Sequence, residues 1–349
     1  MILMSKRILA AACAAATALA LSACSPSAST GGKTSKDGTL TVMASFYPLK
    51  YLAEKVGGEH VTVTSLTPDG AEPHDLELSP KMVDSLASAD AVVYLAGFQG
   101  AVDEAVEQHA PKTVIDVSSA AQLVAIDSTS NHPGEDEGTD EAQSGEAQSG
   151  EAADHDHEGH EHEGHDHEHA DHDHHHDMSM DPHFWLDPAR MANAATLVGD
   201  KLAEADPTNA ETYKANAQAL NEELTSLGDN LVAKTSTCQI KTFVTAHTAF
   251  GYLADRTGLT QVGISGLDPE SSPSPARLAE IGKIVKDQGV TTIFTEALID
   301  PKVEQTLATD IGISTAVLDP IESQTDSSKD YAAVMNDNID ALTKANNCQ

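Results

Sequence analysis

Residues 127–180 set the first limit on what this chain can fold into. The stretch is crowded with His, Asp and Glu, and no Lys or Arg occurs between Lys112 and Arg190. With so little apolar content it cannot bury enough surface to offset the cost of ordering its own backbone. Any packed core must be assembled from the two flanks, with this tract between them as a flexible loop. Eleven of the chain's 17 histidines fall inside it: His155, His157, His160, His162, His165, His167, His169, His172, His174, His175 and His176. Neutral imidazole binds zinc and other borderline transition metals, and the interleaved carboxylates add charge attraction. The tract reads as a metal-collecting loop; the plain alternative is a solvated acidic linker.

The amino-terminal residues point to a compartment. Lys6 and Arg7 precede an Ala-rich apolar run over residues 8–21, which is too short to span a bilayer as a helix and suits the core of a signal peptide. The run ends in Leu21-Ser22-Ala23-Cys24, which resembles the bacterial lipobox, whose Cys is lipidated and becomes the first mature residue. An ordinary secretory cut near Ala23 is the alternative. Residues 25–38 are rich in Ser, Thr, Gly and Lys and read as a flexible tether. The expected location is therefore extracytoplasmic, held to the outer face of a bacterial cell membrane by lipid alone. Of four cysteines, Cys13 lies in the signal and Cys24 carries the lipid. That leaves Cys238 and Cys348, which in an oxidising exterior are expected to pair, two free thiols being the alternative.

The formal charge of −35 overstates the acidity of the folded body. Seventeen of the 55 acidic residues lie between Glu135 and Asp177, so 38 acids face 20 bases elsewhere. A body of about −18 argues against nucleic acid as a partner and is compatible with attracting divalent cations.

Both flanks alternate strand and helix. In the first, residues 40–44, 61–66, 91–95 and 113–117 read as strands. Pro48 and Ser79-Pro80 start helices, the first stopped by Gly57-Gly58. In the second, strands are expected at 242–245, 260–264, 291–295 and 314–318, with helices over 248–256, from Ser274-Pro275 to Gln288, from Pro301 to Asp310, and over 328–344. Between them a helix from Pro207 to Lys234 would span roughly 40 Å, too long for either small lobe, so it should run along both. The fold class expected is α/β: two small parallel-sheet lobes joined by one long rigid helix, with a ligand site in the cleft. The expected boundaries are a signal at 1–23, a tether at 24–38, a first lobe at 39–126, the tract at 127–180, a return to the first lobe at 181–206, the linking helix at 207–235 and a second lobe at 236–349.

Ligands of open α/β sheets bind beyond the carboxyl ends of strands. His74, His183, His247 and Asp319 occupy such places, split between both flanks. Any one of these histidines is most simply an ordinary loop residue; three with an Asp are harder to dismiss.

The motifs Ser45-Phe46-Tyr47-Pro48, Gly70-Ala71-Glu72-Pro73-His74-Asp75, Asp181-Pro182-His183-Phe184-Trp185-Leu186-Asp187-Pro188, Ala246-His247-Thr248-Ala249-Phe250-Gly251-Tyr252 and Ser274-Pro275-Ala276-Arg277-Leu278 together carry a resemblance. Over nearly all of residues 40–349 the chain resembles the zinc and manganese substrate-binding lipoproteins of ABC transporters, the ZnuA-like group. Its zinc members carry a His-rich insertion where this chain has one. The resemblance implies a monomer that holds metal in the cleft and delivers it to a membrane permease. It implies His74, His183 and His247 as imidazole ligands, with Zn2+ favoured over Mn2+ because the third position is His247 and not a carboxylate. The fourth ligand stays open between Asp319, Glu72 and water. Glu296 is a candidate for supporting a ligand or for the metal itself, and Trp185 reads as packing. A metalloenzyme is the competing class, but no HExxH motif occurs. A surface adhesin or metal buffer without a transporter is the other alternative.

Overall fold

Four strands of the first flank, β1 (Leu40–Ala44), β2 (Val61–Ser65), β3 (Ala91–Tyr94) and β4 (Thr113–Asp116), pair in the order β2-β1-β3-β4, every pair parallel. The second flank repeats the plan with β5 (Thr242–Thr245), β6 (Thr260–Gly263), β7 (Thr292–Thr295) and β8 (Ser314–Val317) in the order β6-β5-β7-β8. The computed structural model describes residues 38–109, 111–126 and 179–349; the apolar amino-terminal run, Cys24 and the eleven tract histidines lie outside them. Among the described residues no helix is long and apolar enough to cross a membrane.

The central strands are buried on both faces, as parallel sheets flanked by helices require. Leu40, Val42 and Ala44 of β1, with Ala91 and Val93 of β3, join one apolar cluster, while the intervening Met43 and Val92 join another with Leu66, Leu86 and Val102. In the second sheet Phe243 and Phe294 turn toward that first cluster. Val244 and Ile293 pack the opposite way, against Ile264, Ile281 and Val285. The shared cluster runs from Leu40 to Leu342, so one continuous core lies between the two sheets. The strand period of two is what divides each sheet's side chains between its two layers.

Four of the helices start at a capping side chain. Ser79 accepts from the Met82 amide ahead of α2 (Pro80–Ser88), which follows α1 (Tyr47–Gly57) in chain order. Next come α3 (Gly100–His109), the one-turn α4 (Ser118–Ala121) and α5 (Pro188–Ala205), whose cap Asp187 accepts from the Ala189 amide. The long helix is α6 (Ala210–Thr235), 26 residues rather than the 28 expected from Pro207, because Asp206 closes a turn on the Thr208 amide first. Its buried stripe, Tyr213, Ala217, Leu220, Leu224, Leu227 and Leu231, packs on α1, α5 and, in the second flank, α10 (Tyr331–Ala345). Gly199 of α5 lets the two long helices approach closely: a β-carbon there would lie 2.4 Å from that of Ala217.

In the second flank α7 (Gly251–Thr257) begins later than the expected Thr248, whose amide donates instead to the Gly266 carbonyl. α8 (Pro275–Gln288), capped by Ser274, and α9 (Lys302–Ile311) complete the set. Cys238 and Cys348 are joined as a disulfide, pinning the carboxyl terminus beside the entry to β5. The two flanks are tied across the cleft by the Trp185 indole N–H on the Pro320 carbonyl (2.7 Å), the Tyr252 hydroxyl on the Asp181 carbonyl (2.7 Å) and the Gly70 amide on Ser323 Oγ (2.6 Å).

Candidate metal centre

The carboxyl ends of the two sheets bring four side chains to one point. His74 arrives on the turn after β2, His247 two residues beyond β5, and His183 just before a short 3-10 turn, Phe184–Leu186, that leads into α5. Glu322 comes from the loop after β8. One potential ligand atom from each of the four lies within 4.8 Å of the others. All four are buried, Glu322 to 1% exposure and His183 and His247 to 0%.

Glu322 Oε1 is 3.4 Å from each of the three Nε2 atoms, and the Nε2 atoms of His74 and His183 are 3.3 Å apart. Zinc holds nitrogen and oxygen ligands at about 2.0–2.2 Å in a tetrahedron, which puts ligand atoms about 3.3–3.5 Å from one another. Four of the six edges of such a tetrahedron are therefore already present. Two neutral imidazole lone pairs facing each other at 3.3 Å repel unless a cation or proton lies between them. His247 Nε2 is buried with no hydrogen-bond partner among the described residues. The donor set, three imidazoles and one carboxylate, fits zinc better than the oxygen-rich octahedra of manganese.

Carboxylates behind the imidazoles set their orientation. Asp181 Oδ1 lies 2.8 Å from His183 Nδ1 and also accepts from the His183 amide at 2.9 Å. Glu296 Oε1 lies 2.7 Å from His247 Nδ1 and accepts from the His247 amide at 3.1 Å. An ionised carboxylate only accepts, so in both rings Nδ1 carries a proton, and once the ring is neutral it is the Nε2 lone pair that faces the centre. His74 Nδ1 has no such partner among the described residues; its ring is held edge-on by Phe98, centroids 4.9 Å apart.

The titrations follow from burial and these contacts. Burial lowers the His74 ring below its usual range. At His183 and His247 burial works the same way, but the Asp181 and Glu296 carboxylates overcome it and raise both, His247 strongly. Burial opposes ionisation of Glu322, yet its contacts with His183, His247 and His74 hold it well below the usual carboxylate range. Glu72 is pushed up to about 8 by burial and then by the Glu322 charge, while its Oε1 accepts from the His74 amide at 3.0 Å.

The structure brings His74, His183 and His247 together, as expected, but the carboxylate that joins them is Glu322, not Asp319. Asp319 Oδ1 closes a turn on the Ile321 amide at 2.8 Å, and Ile321 takes a left-handed φ of 57°, which reverses the chain and carries Glu322 inward. Glu72 stands outside the four, 4.0 Å from His74 Nε2. Glu296 supports His247, and Trp185 is packing, its ring 5.1 Å from that of His183. No role was expected of Asp181, although it stands two residues before His183 in Asp181-Pro182-His183.

The fold and the cluster define a two-lobed α/β protein built, among the described residues, around a buried set of side chains that could hold a metal ion. The chain belongs to the ZnuA family, described as "Zinc-uptake complex component A periplasmic", whose model matches residues 42–345; the family is one of substrate-binding proteins. It is 33% identical over 311 residues to the zinc-binding protein AdcA of Streptococcus pyogenes serotype M3, covering 88% of this chain and 56% of that protein. The chain thus spans little more than half the length of these relatives. With the high-affinity zinc uptake system protein ZnuA of Bacillus subtilis it shares 31% identity over 337 residues, 94% of each. Among solved structures, the Zn(II)-bound ZnuA-like domain of Streptococcus pneumoniae AdcA superposes with a TM-score of 0.66 at 29% identity, covering 88% of this chain and 99% of that one. The laminin-binding protein Lmb of Streptococcus agalactiae, described as having adhesin and metal-transporting activity, gives 0.68 at 27%, covering 88% and 99%.

Proposed function

We propose that this protein captures Zn2+ outside the cytoplasmic membrane and hands it to an ABC permease for uptake, with His74, His183, His247 and Glu322 holding the ion. The observation that carries this reading is the set of 3.3–3.4 Å separations among the four donor atoms, which matches the edges of a zinc tetrahedron. Similarity to proteins named for zinc binding and zinc uptake supports the same cargo. The protein acts as a carrier: its family is one of substrate-binding proteins, and all four donors are buried.

The ligands come from both flanks, so the ion draws the two lobes onto one centre. The ties across the cleft and the shared core limit large hinge motion. Arriving Zn2+ displaces protons from His183 and His247, and the ionised Glu322 offsets part of its charge. The His-rich tract collects metal at many weak sites and raises its local concentration. The chain works as a monomer, anchored through lipid on Cys24, and the permease must disturb the buried shell to take the ion. In domain terms, residues 39–126 and 181–206 form the first lobe and 236–349 the second.

The test is calorimetry with Zn2+ and Mn2+ on the protein whose residues 127–178 are replaced by a short linker. The Ile126 amide donates to the Ser179 carbonyl at 3.1 Å, so the cut ends are adjacent. One tight zinc site with weak manganese binding is expected. Tight manganese binding would change the cargo, and no tight site would leave a surface metal buffer.

A further inference from the structure

Three buried carboxamides stand one step behind the cluster. Gln99, 2% exposed, donates through Nε2 to the Pro73 carbonyl and to Thr67 Oγ1, both at 3.0 Å. Pro73 immediately precedes His74. Gln261 of β6 donates through Nε2 to the His247 carbonyl at 3.1 Å and to Thr245 Oγ1 at 2.9 Å. Asn338 of α10 grips Asp319, accepting from its amide at 2.8 Å and donating to its carbonyl at 2.7 Å, three residues before Glu322. Three of the four donor-bearing loops are thus held through their backbones by neutral amides; the fourth, at His183, is held by Asp181.

The chemistry at the two glutamines is demanding. Thr67 Oγ1 gives its own proton to the Ser45 carbonyl and Thr245 Oγ1 gives its proton to the His247 carbonyl, both at 2.7 Å. Each hydroxyl therefore faces its glutamine as an acceptor, and each carbonyl can only accept. Both positions require a double donor. A Glu would set acceptor against acceptor, and a Lys or Arg would place a cation beside the incoming one. A primary amide supplies two N–H groups with no net charge. Gln99 carries the larger share, because His74 Nδ1 has no partner among the described residues and the ring depends on its backbone and on Phe98, the residue next to Gln99. His247 has Glu296 as a second restraint.

We propose that Gln99, Gln261 and Asn338 are positioning residues that set zinc affinity by fixing the loops of His74, His247 and Glu322; this rests on the cluster being the zinc site. The test uses the full chain and the variants Gln99→Met, Gln261→Met and Asn338→Leu, which keep volume and lose the amide. Zn2+ affinity is read by chelator competition, and Co2+ is titrated for its visible absorption. The same titrations of His183→Ala are subtracted to remove metal held by the His-rich tract, and metal-free melting is followed in parallel. Each variant is expected to lose about tenfold in Zn2+ affinity, the low end for groups that orient ligands. Gln99→Met is expected to lose most, with a weaker or shifted Co2+ spectrum. A role in folding alone would lower the metal-free melting temperature and leave Zn2+ affinity and the Co2+ spectrum unchanged. Folded variants within twofold of the parent in affinity, with its spectrum, would overturn the proposal. If a Met variant does not fold, Gln→Asn at that position is read by the same criteria, as is Asn338→Gln in place of Asn338→Leu. A parent chain with no more tight Zn2+ binding than His183→Ala would instead sink the zinc-site reading itself.

Discussion

Replacing Glu296 separates the charge behind His247 from its hydrogen bonds. Its Oε1 takes two bonds, 2.7 Å from Nδ1 and 3.1 Å from the His247 amide, in a pocket where the imidazole is fully buried. Glu296→Gln can keep both contacts on one amide oxygen and loses only the negative charge. Glu296→Ala loses both and strands two buried N–H groups, the ring Nδ1–H and the His247 amide. Groups that orient metal-bound histidines are worth about 10–100-fold in metal affinity, or about 1.4–2.7 kcal/mol. The Gln variant belongs at the low end and the Ala variant at the high end. The loss also depends on pH. Glu296 raises the His247 pKa against the effect of burial, so the parent must expel a proton that the Gln variant holds less tightly. That relief offsets part of the loss at low pH, and the full loss emerges once His247 is deprotonated in both proteins. Chelator competition at several pH values reads this directly. Zinc affinity for Glu296→Ala within twofold of the parent at every pH would refute the claim that this carboxylate tunes the ring.

Other outcomes are equally specific. Glu322→Gln and His183→Ala each remove a proposed ligand and should cost more than about a hundredfold in Zn2+ affinity, beyond the range of supporting groups, by the same competition assay. Zinc binding should strengthen as pH rises and release protons near neutrality, because His183 and His247 titrate above their usual range; calorimetry in buffers of different ionisation enthalpy counts the protons. Asp319 is raised to about 6, mainly by burial, so the folded state holds a proton that the unfolded chain gives up. Its contribution to stability is present below the usual Asp pKa and lost as pH rises through about 6. Asp319→Asn should flatten that part of the metal-free stability profile measured by urea unfolding. Gly199→Val must force α5 off α6 at Ala217 and should destabilise by about 1–3 kcal/mol, read as a lower melting temperature with zinc stoichiometry intact.

Much of the fold was legible because its signals are local. Short runs carrying Val, Ile or Thr marked all eight strands, and Ser79-Pro80 and Ser274-Pro275 marked helix starts that the structure caps as read. The three histidines were legible because each sits where a strand of a parallel sheet ends or beside a Pro-rich motif. Glu322 was not, since its inward turn depends on a left-handed Ile321, and nothing in a β-branched residue signals that backbone conformation. Asp319 was the natural choice in its place: it comes first after β8, but its carboxylate is consumed by the turn. The helix α5 carried its own signal, Asp187 followed by Pro188, inside a motif that drew attention to His183 instead. The carboxamides were invisible for a different reason. Gln99 and Gln261 matter through backbone carbonyls that are distant in sequence, and pairing of that kind leaves no local pattern.

X-ray absorption at the zinc edge, on the full chain loaded with one equivalent of Zn2+, tests the site most directly when paired with Glu322→Gln. The expected parent spectrum is four-coordinate with about three imidazole nitrogens and one oxygen near 2.0–2.1 Å, changing on loss of the Glu322 charge. A spectrum unchanged in Glu322→Gln, or a six-coordinate oxygen-rich shell in the parent, would contradict zinc capture by His74, His183, His247 and Glu322.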